Sequence, residues 1–141
     1  MTAKEYLRQA YRLDLKINSD IEEAARLREM ASSLTPPTLG DKVQTTRIGE
    51  APFVRSIEKV LMLEEQINRE IDALVALKEQ MRGVITAVTD TDERMVLRYR
   101  YIHNMTWEQI GDKLKADRTT VYRWHKRGLA HVQLPESPIR I

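Results

Sequence analysis

The sequence of 141 residues has no cysteine, which excludes a disulfide framework and a thiolate metal site. Proline and glycine number five each and aromatic residues make up only 6%, so the chain has few helix breakers. No apolar run approaches the roughly 18 residues of a membrane-spanning helix, and the start, Met1 to Tyr6, has no apolar signal core. These absences predict an all-α, cytoplasmic protein with no contact to a membrane.

The charge is unevenly divided along the chain. The formal net charge is +2, yet residues 1–90 hold 13 Lys and Arg against 15 Asp and Glu, while residues 91–141 hold 10 against 6. The basic excess therefore lies in the C-terminal part, which points to a nucleic-acid partner for that part.

Two long apolar stripes predict two helices in residues 1–90. The first helix spans about 4–32, and the second spans about 52–88, with Pro52 in its first turn. A proline-containing and polar stretch, about 33–51, is predicted to be a linker. The first stripe is Tyr6, Ala10, Leu13, Ile17, Ile21, Ala24, Leu27 and Ala31. The second repeats every seven residues: Phe53, Val60, Ile67, Leu74, Met81 and Val88.

Neither helix can bury its stripe alone. We expect an antiparallel helical hairpin or coiled coil over residues 1–90, and association with a second copy would bury the stripes equally well. A purely structural hairpin is an equally good interpretation, because no catalytic constellation is found there.

Residues 91–134 predict a tri-helical domain, followed by a tail at 135–141. Thr91 or Asp92 is expected to cap its first helix. Thr106 with Gln109 forms a capping-box pattern for a short helix ending near Leu114. Lys115 and Ala116 form the turn, where one residue is expected to be left-handed because glycine is absent. Asp117 is expected to cap the last helix, 118–131. Gly111 is expected to let two helices cross closely.

The last helix separates two kinds of side chain. Val121, Trp124 and Gly128 are expected to face the core, whereas the opposite side carries Lys and Arg without Asp or Glu. A face of one sign suits DNA phosphates, and Arg and Thr near the helix start suit base edges. The candidate DNA contacts are Thr106, Arg118, Thr119, Thr120, Tyr122, Arg123, Lys126 and Arg127.

A family resemblance rests on three runs: ERMVLRYRY at 93–101, TWEQIG at 106–111 and DRTTVYRW at 117–124. These resemble region four of the primary sigma factors of bacterial RNA polymerase. That resemblance implies a helix-turn-helix whose last helix enters the major groove of DNA. The whole chain also resembles small phage and prophage proteins of Gram-positive bacteria that are regarded as sigma-like regulators. The turn and Thr119, Thr120 and Tyr122 depart from the sigma pattern, so a promoter sequence does not carry over.

Three functions remain open at this point. The first is a DNA-binding regulator of phage or prophage genes, which would bind double-stranded DNA, with RNA polymerase as a second candidate partner. The second is a protein like the small terminase subunits that mark phage DNA for packaging. The third is a module that binds RNA polymerase without DNA.

An enzyme, a cofactor and a metal site are not expected. The sequence has no phosphate-cradling glycine loop and no nucleophile motif. His103, His125 and His131 lack the spacing of a metal site. Trp107 and Trp124 are expected to pack in the core more readily than to stack on bases.

Overall fold

The computed structural model describes residues 1–33 and 43–141, with the side chains of residues 1–33 and 52–141. Every regular element in those residues is helical, so the predicted all-α class is confirmed for them. No helix of the described residues combines the length and apolar character needed to cross a membrane. The elements are α1 (Ala3–Ser33), α2 (Val43–Thr86), α3 (Thr91–Leu97), a π-helical turn (Arg98–Ile102), α4 (Trp107–Leu114) and α5 (Arg118–His131).

Helix α2 begins earlier than predicted. It starts at Val43, inside the expected linker, so Pro52 lies within the helix and not in its first turn. An interior proline removes one helical hydrogen bond and its ring crowds the carbonyl four residues back, which disfavours but does not forbid a continuing helix. The rest of the expected linker, residues 34–42, lies outside the described residues.

The chain forms two compact units that do not divide at residue 90. Unit 1 comprises residues 1–14 and 73–141, and unit 2 comprises residues 15–72. The start of α1 and the end of α2 thus belong with the C-terminal helices. The sequence had placed them in a separate N-terminal domain, because periodicity along a helix carries no information about which partner buries it.

Unit 2 contains two helical segments joined by ion pairs. Lys16 pairs with Glu70 at 2.6 Å, and Arg28 pairs with Glu64, so the partners occur in opposite order along α1 and α2. The buried aliphatic residues of this unit are Ile17, Ala24, Ala31, Val60 and Ile67.

Unit 1 contains two apolar clusters. The larger cluster joins the first turns of α1 and the last turns of α2 to α3 and the π-helical turn; its fully buried side chains include Tyr6, Leu7, Leu77, Met81 and Leu97. The smaller cluster centres on Val96, Ile110 and Val121, against which Trp107 and Trp124 pack. Both Trp side chains are thus part of the packing, as the sequence favoured.

Candidate nucleic-acid interface

The helix that supports the interface, α3, begins one residue earlier than expected. Asp90, not Thr91 or Asp92, is its N-cap, and the Asp90 carboxylate accepts a hydrogen bond from the Glu93 backbone N–H at 3.0 Å. Any of the three polar residues suits a cap, so the sequence alone could not choose between them. The choice places Glu93 on the inner side of α3, where it is 3% exposed and contacts His131 at 2.9 Å.

A π-helical turn follows α3 and was not foreseen. The His103 N–H donates to the Arg98 carbonyl oxygen at 3.2 Å, five residues back, and Asn104 takes a positive φ of 54°. Such wide turns insert an extra residue and occur often at functional sites. The turn rotates Tyr101 and Ile102 into the core, where both are buried.

Helix α4 begins as the sequence predicted. The Thr106 side chain accepts from the Gln109 N–H at 3.2 Å, and the Gln109 side chain accepts from the Thr106 N–H at 2.9 Å, which completes the capping box. Lys115 ends the helix with φ 51° and ψ 49°, the left-handed conformation expected in this turn. The α4–α5 turn is therefore tight.

The role predicted for Gly111 was wrong. A Cβ atom at this position would lie 2.9 Å from the Ala116 carbonyl oxygen, which belongs to the turn and not to a crossing helix. The small residue lets the turn fold back against α4, as the hydrogen bond from the Ala116 N–H to the Gly111 oxygen indicates. Gly128 is the glycine at a helix contact, because its Cβ would lie 3.1 Å from Leu97 Cδ1.

Helix α5 has one buried side. Asp117 caps it by accepting from the Thr120 N–H at 2.8 Å, and hydrogen bonding with Thr120 holds the pKa of Asp117 below its ordinary value. Val121, His125 and Gly128 are buried, while Trp124 is half-buried. Sequence reasoning missed His125 on this side, because a histidine carries no hydrophobic signal.

The opposite side of α5 is exposed and cationic. Tyr122 is 61% exposed and Thr120 is half-buried. None of the basic residues of this side takes part in a described ion pair. The exposed predicted residues of α5 are Arg118, Thr119, Tyr122, Arg123, Lys126 and Arg127. We call this set, with Thr120, the cationic face.

Thr106 lies apart from the cationic face, at the start of α4. It is exposed, and its oxygen already accepts the capping hydrogen bond. Its hydroxyl hydrogen can still be donated, and the N-terminus of a helix favours an anion. Thr106 is therefore compatible with a phosphate, whose oxygen would accept from this hydroxyl.

The buried side of α5 is fixed by a polar contact. The Tyr101 hydroxyl lies 2.7 Å from His125 Nε2, and the His125 ring packs edge-on against Trp107 with ring centres 4.7 Å apart. Burial is the main reason that the pKa of His125 falls to about 4 and that of Tyr101 rises to about 12. Both groups are therefore neutral at pH 7, which suits a structural contact that orients α5.

The three histidines are separated in the structure. His103 is exposed beside Tyr99, His125 is buried against Tyr101, and His131 contacts Glu93. In the part of the chain that the structure describes, no group of three His, Cys, Asp or Glu side chains is placed to hold a metal ion.

The comparison with known families gives one match. A family model described as a protein of unknown function, DUF1492, matches residues 40–133. The matched stretch covers more than half of the chain, so the chain belongs to this family. Searches of curated proteins and of solved structures found no match.

Proposed function

We propose that this DUF1492 protein is a sequence-specific DNA-binding regulator of phage or prophage transcription, acting in the cytoplasm and not as an enzyme. The observation that carries the proposal is the exposed cationic face of α5, where Arg123, Lys126 and Arg127 point away from the buried Val121, His125 and Gly128. Arg118 is exposed in the first turn of the same helix. A surface helix without a DNA partner would ordinarily mix both signs of charge. This helix has four Lys and Arg and no Asp or Glu.

The elements around α5 support a helix-turn-helix. Helix α4, the left-handed Lys115 and the capped start of α5 have the lengths and order of that motif. The resemblance of residues 92–132 to sigma region four agrees with it. In the proposed complex, α5 enters the major groove of DNA and α3 supports it from behind.

The candidate contacts fall into two classes. Near the start of α5, Arg118, Thr119, Thr120, Tyr122 and Arg123 would approach base edges, where an Arg can form two hydrogen bonds with guanine. Thr106, Lys126 and Arg127 would hold phosphates and set the position of the helix.

A binding-site selection from random duplex DNA tests the proposal. We expect one sequence to be enriched. Arg123→Ala is expected to lose the preference at one or two base pairs, where the parent chain favours the right base by roughly 1–3 kcal/mol. Lys126→Ala is expected to weaken binding to all duplexes alike and to lower the salt dependence of binding by about one phosphate contact. Lys59→Ala, which removes an exposed charge from unit 2, is the matched control and should bind as the parent does.

The proposal fails if no sequence is enriched, or if all three variants bind the selected duplex equally well. If binding to RNA polymerase persists while DNA binding is absent, the module that contacts polymerase without DNA is the better description.

We further propose that unit 2 joins two copies of the chain. Its helices expose aliphatic side chains, among them Val54 and Leu61, which are seven residues apart on α2. Asn68 follows Leu61 after another seven residues, and the exposed Ile71 lies three residues further on. A single polar Asn within a seven-residue apolar repeat is typical of two-stranded coiled coils. A dimer would also let two α5 helices read two half-sites.

Light scattering of the full chain measures this association. We expect a dimer, and Leu61→Glu is expected to dissociate it, while Lys59→Glu on the same helix is the matched control. A closed ring of many subunits would instead favour the packaging function of small terminase subunits, and a monomeric parent chain would contradict the dimer.

A further inference from the structure

Within unit 1, a cleft of about 300 Å³ opens between the first turns of α1 and the segment that leads into α4. Three of its lining residues are cations: Lys4, Arg8 and Arg100. No Asp or Glu lines it, and none of these cations forms an ion pair among the described residues. The cleft therefore gathers positive charge that the protein itself leaves unneutralised.

That charge acts on the interior of the cleft. The pKa of His125 is lowered first by burial and then by Lys4 and Arg100, and the charges of Arg100 and Arg8 oppose the rise that burial causes in the pKa of Tyr101. All three cations thus lie close enough to influence the same pair of side chains. An anion placed among them would meet several donors at once, and Arg in particular matches the oxygens of a phosphate.

Arg100 is held in place before any ligand arrives. Its guanidinium lies 4.3 Å from the centre of the Trp107 ring, and its Nη1 donates to the Met105 carbonyl oxygen at 2.9 Å. This arrangement fixes one donor group at the cleft and leaves others for a ligand. A preorganised Arg loses little side-chain entropy on binding.

The other walls are flat or polar. Tyr11, Tyr101 and Trp107 line the cleft, and of these Tyr11 is 46% exposed and can offer its ring to a planar ligand. Asn104, the residue with positive φ, lines the cleft, and its side-chain oxygen is buried without a hydrogen-bond partner in the described residues.

We propose that this cleft binds a phosphate ester, with Lys4, Arg8 and Arg100 around the phosphate. The ester is either a free nucleoside monophosphate or the backbone of DNA, and the second source rests on the proposed function. The exposed ring of Tyr11 favours the free nucleotide, because a base can stack on it and a backbone phosphate would not use it. The volume agrees, since about 300 Å³ is the lower end for small-ligand pockets.

Calorimetric titration of the full chain with AMP tests whether the cleft binds a free nucleoside monophosphate. We expect saturable binding, at least tenfold weaker binding of adenosine, which lacks the phosphate, and about tenfold weaker binding of AMP by Arg8→Gln. Arg12→Gln is the matched control, because Arg12 is an exposed cation on the same helix that does not line the cleft. Lys4→Gln is a second cleft variant, and equal melting temperatures of these variants establish that each is folded.

The salt dependence of duplex binding tests whether the cleft binds a backbone phosphate of DNA. If the ester is the DNA backbone, Arg8→Gln lowers the slope by about one phosphate contact relative to Arg12→Gln, whereas AMP gives no binding. Binding of AMP in a chain that binds no DNA would support the cleft while the proposed function fails. The proposal is overturned if AMP does not bind and, in addition, duplex binding either is absent or has the same salt slope in the cleft variants and in Arg12→Gln.

Discussion

Unit 1 and unit 2 use similar helices but differ in how their side chains are covered. In unit 1, the side chains of Leu7, Leu77, Leu97 and Ile110 are fully buried, and four of its helix starts are capped by side chains. In unit 2, Leu15, Met30, Leu61 and Met62 are about half exposed or more. Both units therefore bury apolar side chains, but unit 2 also leaves more large aliphatic side chains exposed, which a partner can cover.

The largest effect on stability should come from shortening a buried side chain in the core of unit 1. Leu97 is 0% exposed and contacts Gly128 on α5. Leu97→Ala is expected to lower the free energy of unfolding by about 2–5 kcal/mol, because it leaves a cavity. Leu15→Ala in unit 2, where Leu15 is 52% exposed, should change it by no more than about 0.5 kcal/mol. Urea denaturation measures both, and comparable losses would contradict the contrast between the units.

An intermediate effect should come from pH, through His125 in unit 1. Its pKa is about 4 in the folded chain against 6.5 in the unfolded one, mainly because of burial. Between these values the unfolded chain binds a proton that the folded chain does not, so stability is full above pH 6.5 and falls as the pH drops. We expect a loss of roughly 2 kcal/mol between pH 7.5 and pH 5.

Variants separate this histidine from other titrating groups. His125→Gln should be less stable at pH 7.5, because the ring packing against Trp107 is lost, but its stability should vary less with pH. His103→Gln, at an exposed histidine, should keep the dependence of the parent. Urea unfolding at the two pH values decides the matter, and identical pH dependence in both variants would remove His125 as the cause.

The smallest effect on stability should come from the turn between α4 and α5. Lys115 is left-handed, which costs a residue with a Cβ about 1–2 kcal/mol. Lys115→Gly relieves this strain but raises the conformational entropy of the unfolded chain. We therefore expect the free energy of unfolding to rise by only about 0.5 kcal/mol. Lys113→Gly, within α4, is the matched control and should lose about 1 kcal/mol. A loss of stability in Lys115→Gly, measured by thermal unfolding, would contradict this account of the turn.

Local signals in the sequence were sufficient for the α4–α5 region. The capping box at Thr106, the cap at Asp117 and the left-handed residue in the turn were all predicted, because each depends on residues within a few positions. The exposed side of α5 followed from its spacing as well. The start of α2 at Val43 was missed, because Pro52 is a strong local signal that the helix overrides.

By itself, the sequence determined the helical class of the described residues, the side of α5 that meets solvent and the charge which that side carries. Only the tertiary structure decided that the start of α1 and the end of α2 join the C-terminal helices, that His125 is buried against Tyr101, and that Lys4 and Arg8 line the same cleft as Arg100. The physical reason is distance along the chain. Caps, turns and helix faces are set by neighbours, whereas a contact between residue 8 and residue 100 depends on how the whole unit packs.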